Sequence, residues 1–265
     1  MEFNFTTKYK LDKNYDLEKI KLIKKLNDMY LKESYKGNKV AYYYENIYTG
    51  DIISYNSDIC FYAASTIKIL VCLILFLKAE KNEINLDEEI LITMNDLKQD
   101  TGIIKYQKKD TFYTILELIR LTIVESDNTS YIKLVDLVGK NKIKDFGLSI
   151  GAIHTMEGKD TDSFGIINCN DMIIYWKEIK KYIDRNTYYS NLFKKYLSNP
   201  SFKIVNTDLN FIRKYGSWDI AYHEAGYIEN KNPFYMIILT QLNRKKYKKT
   251  FINKTANLLL NINKI

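Results

Sequence analysis

"STIKILVCLILFL", residues 65–77, is the stretch on which the reading of this chain turns. Every residue from Ile69 to Leu77 is apolar, and the one charge in the stretch is Lys68. A helix that is apolar on nearly all sides has no face to give to water, so this one is predicted to run buried through the middle of the fold. The run is too short to span a bilayer. Ser65 opens the predicted helix and Lys68 follows one turn later, so the amine can share a face with the hydroxyl. Such a pair has the makings of a nucleophile and its base. The pattern is cheap, however: at this serine and lysine content about 1.6 S-x-x-K matches are expected by chance, and a second does occur at Ser130 and Lys133.

Working outward, Leu17, Ile20, Ile23 and Leu26 recur at near-helical spacing and predict an amphipathic helix over 15–34. Two strand-like runs follow, "KVAYYYENIY" (39–48) and "IISYN" (52–56), with "TGD" between them as a hairpin turn. Beyond the buried helix, residues 84–180 read as mainly helical with loops. After Pro200, "FIRKYGSW", "IAYHEAGYIE" and "FYMIILTQL" read as three strands in meander order, and 248–262 closes the chain as a helix. The expected fold is α/β of the α+β kind: an antiparallel sheet of about five strands flanked by the terminal helices, beside an all-α lobe. One domain, 1–265, is expected. Its sheet lobe comes from about 1–62 and 201–265 and its helical lobe from about 63–200. The chain has only 2 prolines and 10 glycines, and no tract of either interrupts it as a linker.

Composition narrows the function. The net charge of +8 comes from lysines spread along the chain, among them Lys24, Lys25, Lys108, Lys109, Lys180, Lys181 and the cluster from Arg244 to Lys249. No zinc-finger spacing or RNA-binding motif accompanies them, so a solvated lysine surface is expected and a nucleic-acid partner is not. Cys60, Cys72 and Cys169 are odd in number and lie among apolar or small neighbours, which predicts free buried thiols. His154 and His223 are too few and too far apart for a zinc site, so neither metal nor cofactor is expected. The N-terminal residues carry no apolar segment behind their early positive charges. As written, the chain is expected in the cytoplasm; with an export signal removed, it would be extracellular or in the cell envelope.

The informative motif lies downstream. "VESDNTSY" holds Ser126-Asp127-Asn128, and only about 0.08 S-D-N tripeptides are expected by chance at this composition. Ser126 read alone is equally good as a helix N-cap. Lys214-Tyr215-Gly216 then falls on the first C-terminal strand. S-x-x-K, S-D-N and K-x-G in this order resemble the signature of class A β-lactamases and penicillin-binding proteins, and the predicted order of elements matches nearly end to end.

The resemblance implies roles. Ser65 would be the nucleophile that forms an acyl-enzyme, and Lys68, desolvated and near a second cation, its base. Ser126 would relay the proton to the leaving nitrogen, Asn128 would orient Lys68 and the substrate amide, and Lys214 would hold a substrate carboxylate. Gly216 belongs to the same strand motif, the backbone N–H groups of Ser65 and Ser217 would form the oxyanion hole, and His223 stands near where relatives place a second cation for the carboxylate. The substrate would be a small β-lactam or a peptidoglycan-like peptide, handled by a monomer. Two departures stand out. Tyr215 replaces a threonine, and the E-x-x-L-N loop that carries the deacylating glutamate of class A enzymes is missing. In its place runs "IHTMEGKDTDSFGIINCND", where Glu157, with Asp160 and Asp162 nearby, is the candidate base or simply part of a solvated acidic loop. Three functions compete: a β-lactam hydrolase with slow deacylation, a D-alanyl-D-alanine carboxypeptidase or other serine amidohydrolase, and a binding protein whose site has drifted.

Overall fold

The computed structural model describes residues 5–8, 17–158, 163–242 and 245–265. Strand β1 (Phe5–Lys8) is followed by helix α1 (Leu17–Tyr35) and the hairpin β2 (Lys39–Asn46) and β3 (Ile52–Tyr55). A short β4 (Phe61–Tyr62) leads through a 3-10 turn, Ala64–Ile67, into α2 (Lys68–Glu80). The middle of the chain holds the ribbon β5 (Glu89–Ile92) and β6 (Thr111–Thr114), then α3 (Ile115–Val124), α4 (Asn128–Val138) and α5 (Lys140–Ser149). Next come β7 (Ile166–Ile167), α6 (Cys169–Ile183) and α7 (Tyr188–Ser198). Strands β8 (Asn210–Trp218), β9 (Ala221–Glu229) and β10 (Phe234–Gln241) precede the closing helix α8 (Lys245–Lys264).

The main sheet is antiparallel in the order β1-β3-β2-β10-β9-β8. The five expected strands are all present, and a sixth, β1, adds to the edge beside β3. Both faces of the sheet are covered, so its central strands are near-continuous apolar runs. In β2, Val40, Tyr42 and Tyr44 pack toward α1 and α8 with Leu26, Tyr30, Phe251 and Leu259, whereas Ala41 and Tyr43 face the helical side.

Helix α2 is the axis of the helical side. Ten of its residues are buried, including all of Lys68–Phe76, and it packs against α3, α4, α5 and α7. Its beginning differs from the sequence expectation: Ser65 lies in a 3-10 turn, and the α-helix starts at Lys68. The ribbon β5–β6 was not expected. Leu91 and Phe112 on it are exposed, so it shows no alternation to read. All three cysteines are free thiols, Cys72 and Cys169 buried and Cys60 partly so. Among the described residues no helix is long and apolar enough to cross a membrane, and no cluster of potential metal ligands occurs.

Candidate active site

Three elements converge at the edge strand β8. The turn carrying Ser65 packs directly on β8, and Gly216 lets it come that close. A Cβ at that position would lie 2.9 Å from Thr66 Cγ2, 3.1 Å from Thr66 N and 3.2 Å from Ala63 O. The third element is the bend between α3 and α4. There Asp127, rather than Ser126, caps the helix: its Oδ1 accepts Ser130 N (2.9 Å), and its Oδ2 accepts Ile103 N (2.7 Å) and Ile104 N (2.9 Å). The capping reading thus passes to the neighbouring residue, and the Ser126 hydroxyl is left for the site.

Ala64 (φ 47°) and Ser126 (φ 54°) are both left-handed without being glycine. Each flanks or carries a candidate functional group, and backbone strain of this kind is found where the surrounding structure holds a site in place.

The two lysines meet at Ser126. Lys68 Nζ donates to Ser126 O (2.5 Å), Asn128 Oδ1 (2.6 Å) and Asp127 O (3.3 Å), and lies 3.5 Å from Ser126 Oγ. Lys214 Nζ donates to the same Ser126 Oγ (2.8 Å) and to Tyr215 O (3.2 Å). Both lysines are wholly buried. Burial pushes the Lys68 amine well below its usual range, and the charge of Lys214 pushes it further the same way; burial brings Lys214 down to about 7. Around Lys68 stand aromatic rings, Tyr131 at 5.3 Å and Phe164 at 5.7 Å from Nζ. Ser65 opens onto a cavity of about 290 Å³ whose walls include Tyr62, Asn128, Ile132, Phe164, Ser217 and Trp218. No hydrogen bond joins Ser65 Oγ to Lys68 Nζ; the amine is engaged with the S-D-N bend.

Ser65, Lys68, Ser126, Asn128, Lys214, Gly216 and Ser217 are therefore brought together. Two candidates are not. His223 is wholly buried, its Nε2 donating to Tyr62 O (2.9 Å) and its Nδ1 accepting from Thr240 N (3.0 Å). With both ring nitrogens used in the neutral form and burial lowering its pKa to about 4, it offers a substrate carboxylate no charge. Glu157 turns to His154, Oε2 to Nδ1 2.5 Å, and is absent from the cavity wall. Asp160 and Asp162 lie outside the described residues. The second S-x-x-K match resolves into ordinary helix chemistry: Ser130 Oγ meets Thr122 Oγ1 at 2.8 Å, and Lys133 pairs with Asp96 at 2.7 Å.

Tyr215 does not cost the site its hydroxyl. The ring is buried against Phe202, 4.9 Å between centroids, with Lys214 Nζ 4.3 Å from its centre, and its phenol lies near Ser126. Sequence reasoning missed Tyr131 and Ile132, which their i+3 and i+4 spacing from Asn128 in α4 could have revealed. It also missed Lys98, Asp100 and Thr101 of the cavity wall, for which no pattern exists.

Residues 21–262, which contain every one of these groups, match the model of the beta-lactamase enzyme family. The chain belongs to that family. Among curated proteins none matches it by sequence. Among solved structures, this beta-lactamase-family chain is similar to a beta-lactamase from Sphaerobacter thermophilus, with 19% identity and a TM-score of 0.79 over 90% of this chain and 96% of the other. It is similar to a class A beta-lactamase from Bacteroides cellulosilyticus, with 19% identity and a TM-score of 0.78 over 94% and 99%. A point variant of PBP-A, held as an acyl-enzyme with penicillin G, is similar at 17% identity and a TM-score of 0.82 over 93% and 97%. At these identities the likeness is one of fold.

Proposed function

We propose that this chain is a serine hydrolase of β-lactam-type amides that acylates rapidly at Ser65 and deacylates slowly. The observation that carries this reading is the contact chain Lys68–Ser126–Lys214 beside a cavity onto which Ser65 opens. Ser65 Oγ attacks the amide carbon and its proton passes to Lys68, whose lowered pKa favours the neutral amine that the step needs. The C–N bond breaks as Ser126 gives its proton to the leaving nitrogen and is reprotonated from the lysine side. Lys214, in its charged form, attracts the substrate carboxylate and polarises Ser126. The Ser65 and Ser217 N–H groups stabilise the oxyanion.

Slow release is supported by what surrounds Lys68: rings of Tyr131 and Phe164, with Glu157 turned away to His154. A missing water-activating base costs about 10²–10⁴ in rate. The same features suit a penicillin-binding, peptidase-like role, which shares the acyl-enzyme and differs in what removes the acyl group.

Intact-protein mass spectrometry after mixing with penicillin G tests the proposal. The expected result is a stable +penicillin adduct with a burst in turnover, abolished by Ser65→Ala and slowed about 10²-fold or more by Lys68→Ala. An adduct that persists in Ser65→Ala, or no adduct at all, overturns it.

A further inference from the structure

The cavity wall contains a pair of opposite charges that the acyl-transfer chemistry does not use. Lys98 and Asp100 both line the cavity onto which Ser65 opens, together with Thr101. Their spacing in sequence is two, yet they form no ion pair with each other, and neither side chain has a hydrogen-bond or ion-pair partner among the described residues.

Their backbone, by contrast, is pinned. Lys98 N donates to Thr129 Oγ1 (2.9 Å), the Asp100 carbonyl accepts Lys105 Nζ (2.5 Å), and the Thr101 carbonyl accepts Asn128 N (2.9 Å). The segment is thus fastened to the first turn of α4, the turn that carries Asn128. Two opposite charges on a cavity wall, exposed and without protein partners on a backbone that is pinned, are open to a ligand that carries both signs.

Resting on the acyl-transfer reading above, we propose that Lys98 and Asp100 form a subsite for a zwitterionic α-amino-acid group at the end of the substrate's acyl side chain. Lys98 takes the carboxylate and Asp100 the ammonium. The apolar stem between that group and the reacting amide lies along Ile132, Phe164 and Trp218, which form the rest of the wall. Asp100 is near enough to the reacting centre for its charge to be felt at Lys68. Neither a neutral aromatic side chain nor a side chain of single charge engages both groups, and selectivity arises from the contact that each forgoes.

The test compares acylation rates, by intact mass, for three penicillins: one with a phenylacetyl side chain, one with an α-aminoadipyl side chain, and the N-acetylated form of the latter. The zwitterionic compound is expected to acylate about fivefold faster than the phenylacetyl one, and N-acetylation to remove most of that preference, since an exposed charged contact supplies up to about a factor of five. Asp100→Asn should make the rate indifferent to N-acetylation, Lys98→Ser should lower the zwitterion-to-phenylacetyl ratio about threefold or more, and Lys98→Arg should keep it. Adducts that form at equal rates with all three compounds, or a ratio that both Asp100→Asn and Lys98→Ser leave intact, overturn the subsite and leave the acylation reading standing. No adduct with any of the three overturns both.

Discussion

At the scale of single residues, two lysines decide how the site behaves. Lys68 and Lys214 touch the same serine, and burial disfavours the charge of both, with the charge of Lys214 lowering Lys68 further. With Lys214 titrating at about 7, its charged form declines as pH rises through that value, and with it the attraction for a substrate carboxylate. Acylation by penicillin G is therefore expected to fall on the alkaline side of about pH 7, and Lys214→Arg should carry that limb to higher pH. A stopped-flow profile flat from pH 6 to 9 would count against this. Glu157 offers the opposite case. Its carboxylate is spent on His154 outside the cavity, so Glu157→Gln should alter the lifetime of the acyl-enzyme by less than about threefold, where loss of a working base costs at least a hundredfold. Trapping of the adduct by that substitution would restore Glu157 to the mechanism.

At the scale of elements, the site is an agreement between a turn, a bend and an edge strand. The 3-10 turn with Ser65 can approach β8 only because position 216 has no side chain. In Gly216→Ala the new methyl would meet Thr66 and the Ala63 carbonyl, and overpacking of this degree costs about 1–3 kcal/mol. We expect a lower urea midpoint together with slower acylation, because relief of the clash must move the turn that carries the nucleophile. An unchanged midpoint and rate would mean that β8 yields freely. The bend at Ser126 works in a complementary way. Asp127 uses both carboxylate oxygens on backbone N–H groups, and this holds the left-handed Ser126 where both lysines can reach it. Helix α2 was readable because an all-apolar run has one place to go. The β5–β6 ribbon was not, because its stability comes from contacts made elsewhere: Gln107 Nε2 to Ile92 O (3.1 Å) and Tyr113 OH to Gln107 Oε1 (3.1 Å).

At the scale of the whole molecule, burial of ionisable groups sets a direction for stability with pH. Lys214, brought from 10.5 to about 7, is a base with a depressed pKa, so between those values the unfolded chain binds more protons than the folded one and stability rises with pH. Lys68 contributes in the same sense. His223, lowered from 6.5 to about 4, adds a loss as pH falls through that range. Buried tyrosines act at the other end. Tyr30, Tyr42 and Tyr227 are raised above 10, so the stability they contribute is present below about 10 and is lost as pH climbs beyond it. The urea midpoint should accordingly be higher at pH 9 than at pH 6, with the difference reduced in Lys214→Met, each pH unit within the span of one such lysine being worth about 1.4 kcal/mol. A midpoint that falls from pH 6 to 9 would contradict the burial of these amines.

What the sequence by itself determined was whatever rests on local chemistry repeated along the chain. Ile69–Leu77 could only be interior, the alternation and length of the C-terminal runs could only be strands, and Ser65, Lys68, Ser126, Asn128 and Lys214 stood in an order that chance seldom produces. The tertiary structure decided everything that depends on which way a side chain turns and what meets it from a distant segment. His223 faces the core because Tyr62 O and Thr240 N together claim both its nitrogens. Tyr215 keeps its hydroxyl near Ser126 because its ring packs by Lys214 and against Phe202. Lys98 and Asp100 line the cavity only because their loop is fastened to α4 by Thr129 and Asn128, bonds between residues about thirty positions apart. Periodicity can say that a residue is buried or exposed; only packing of remote segments can say against what.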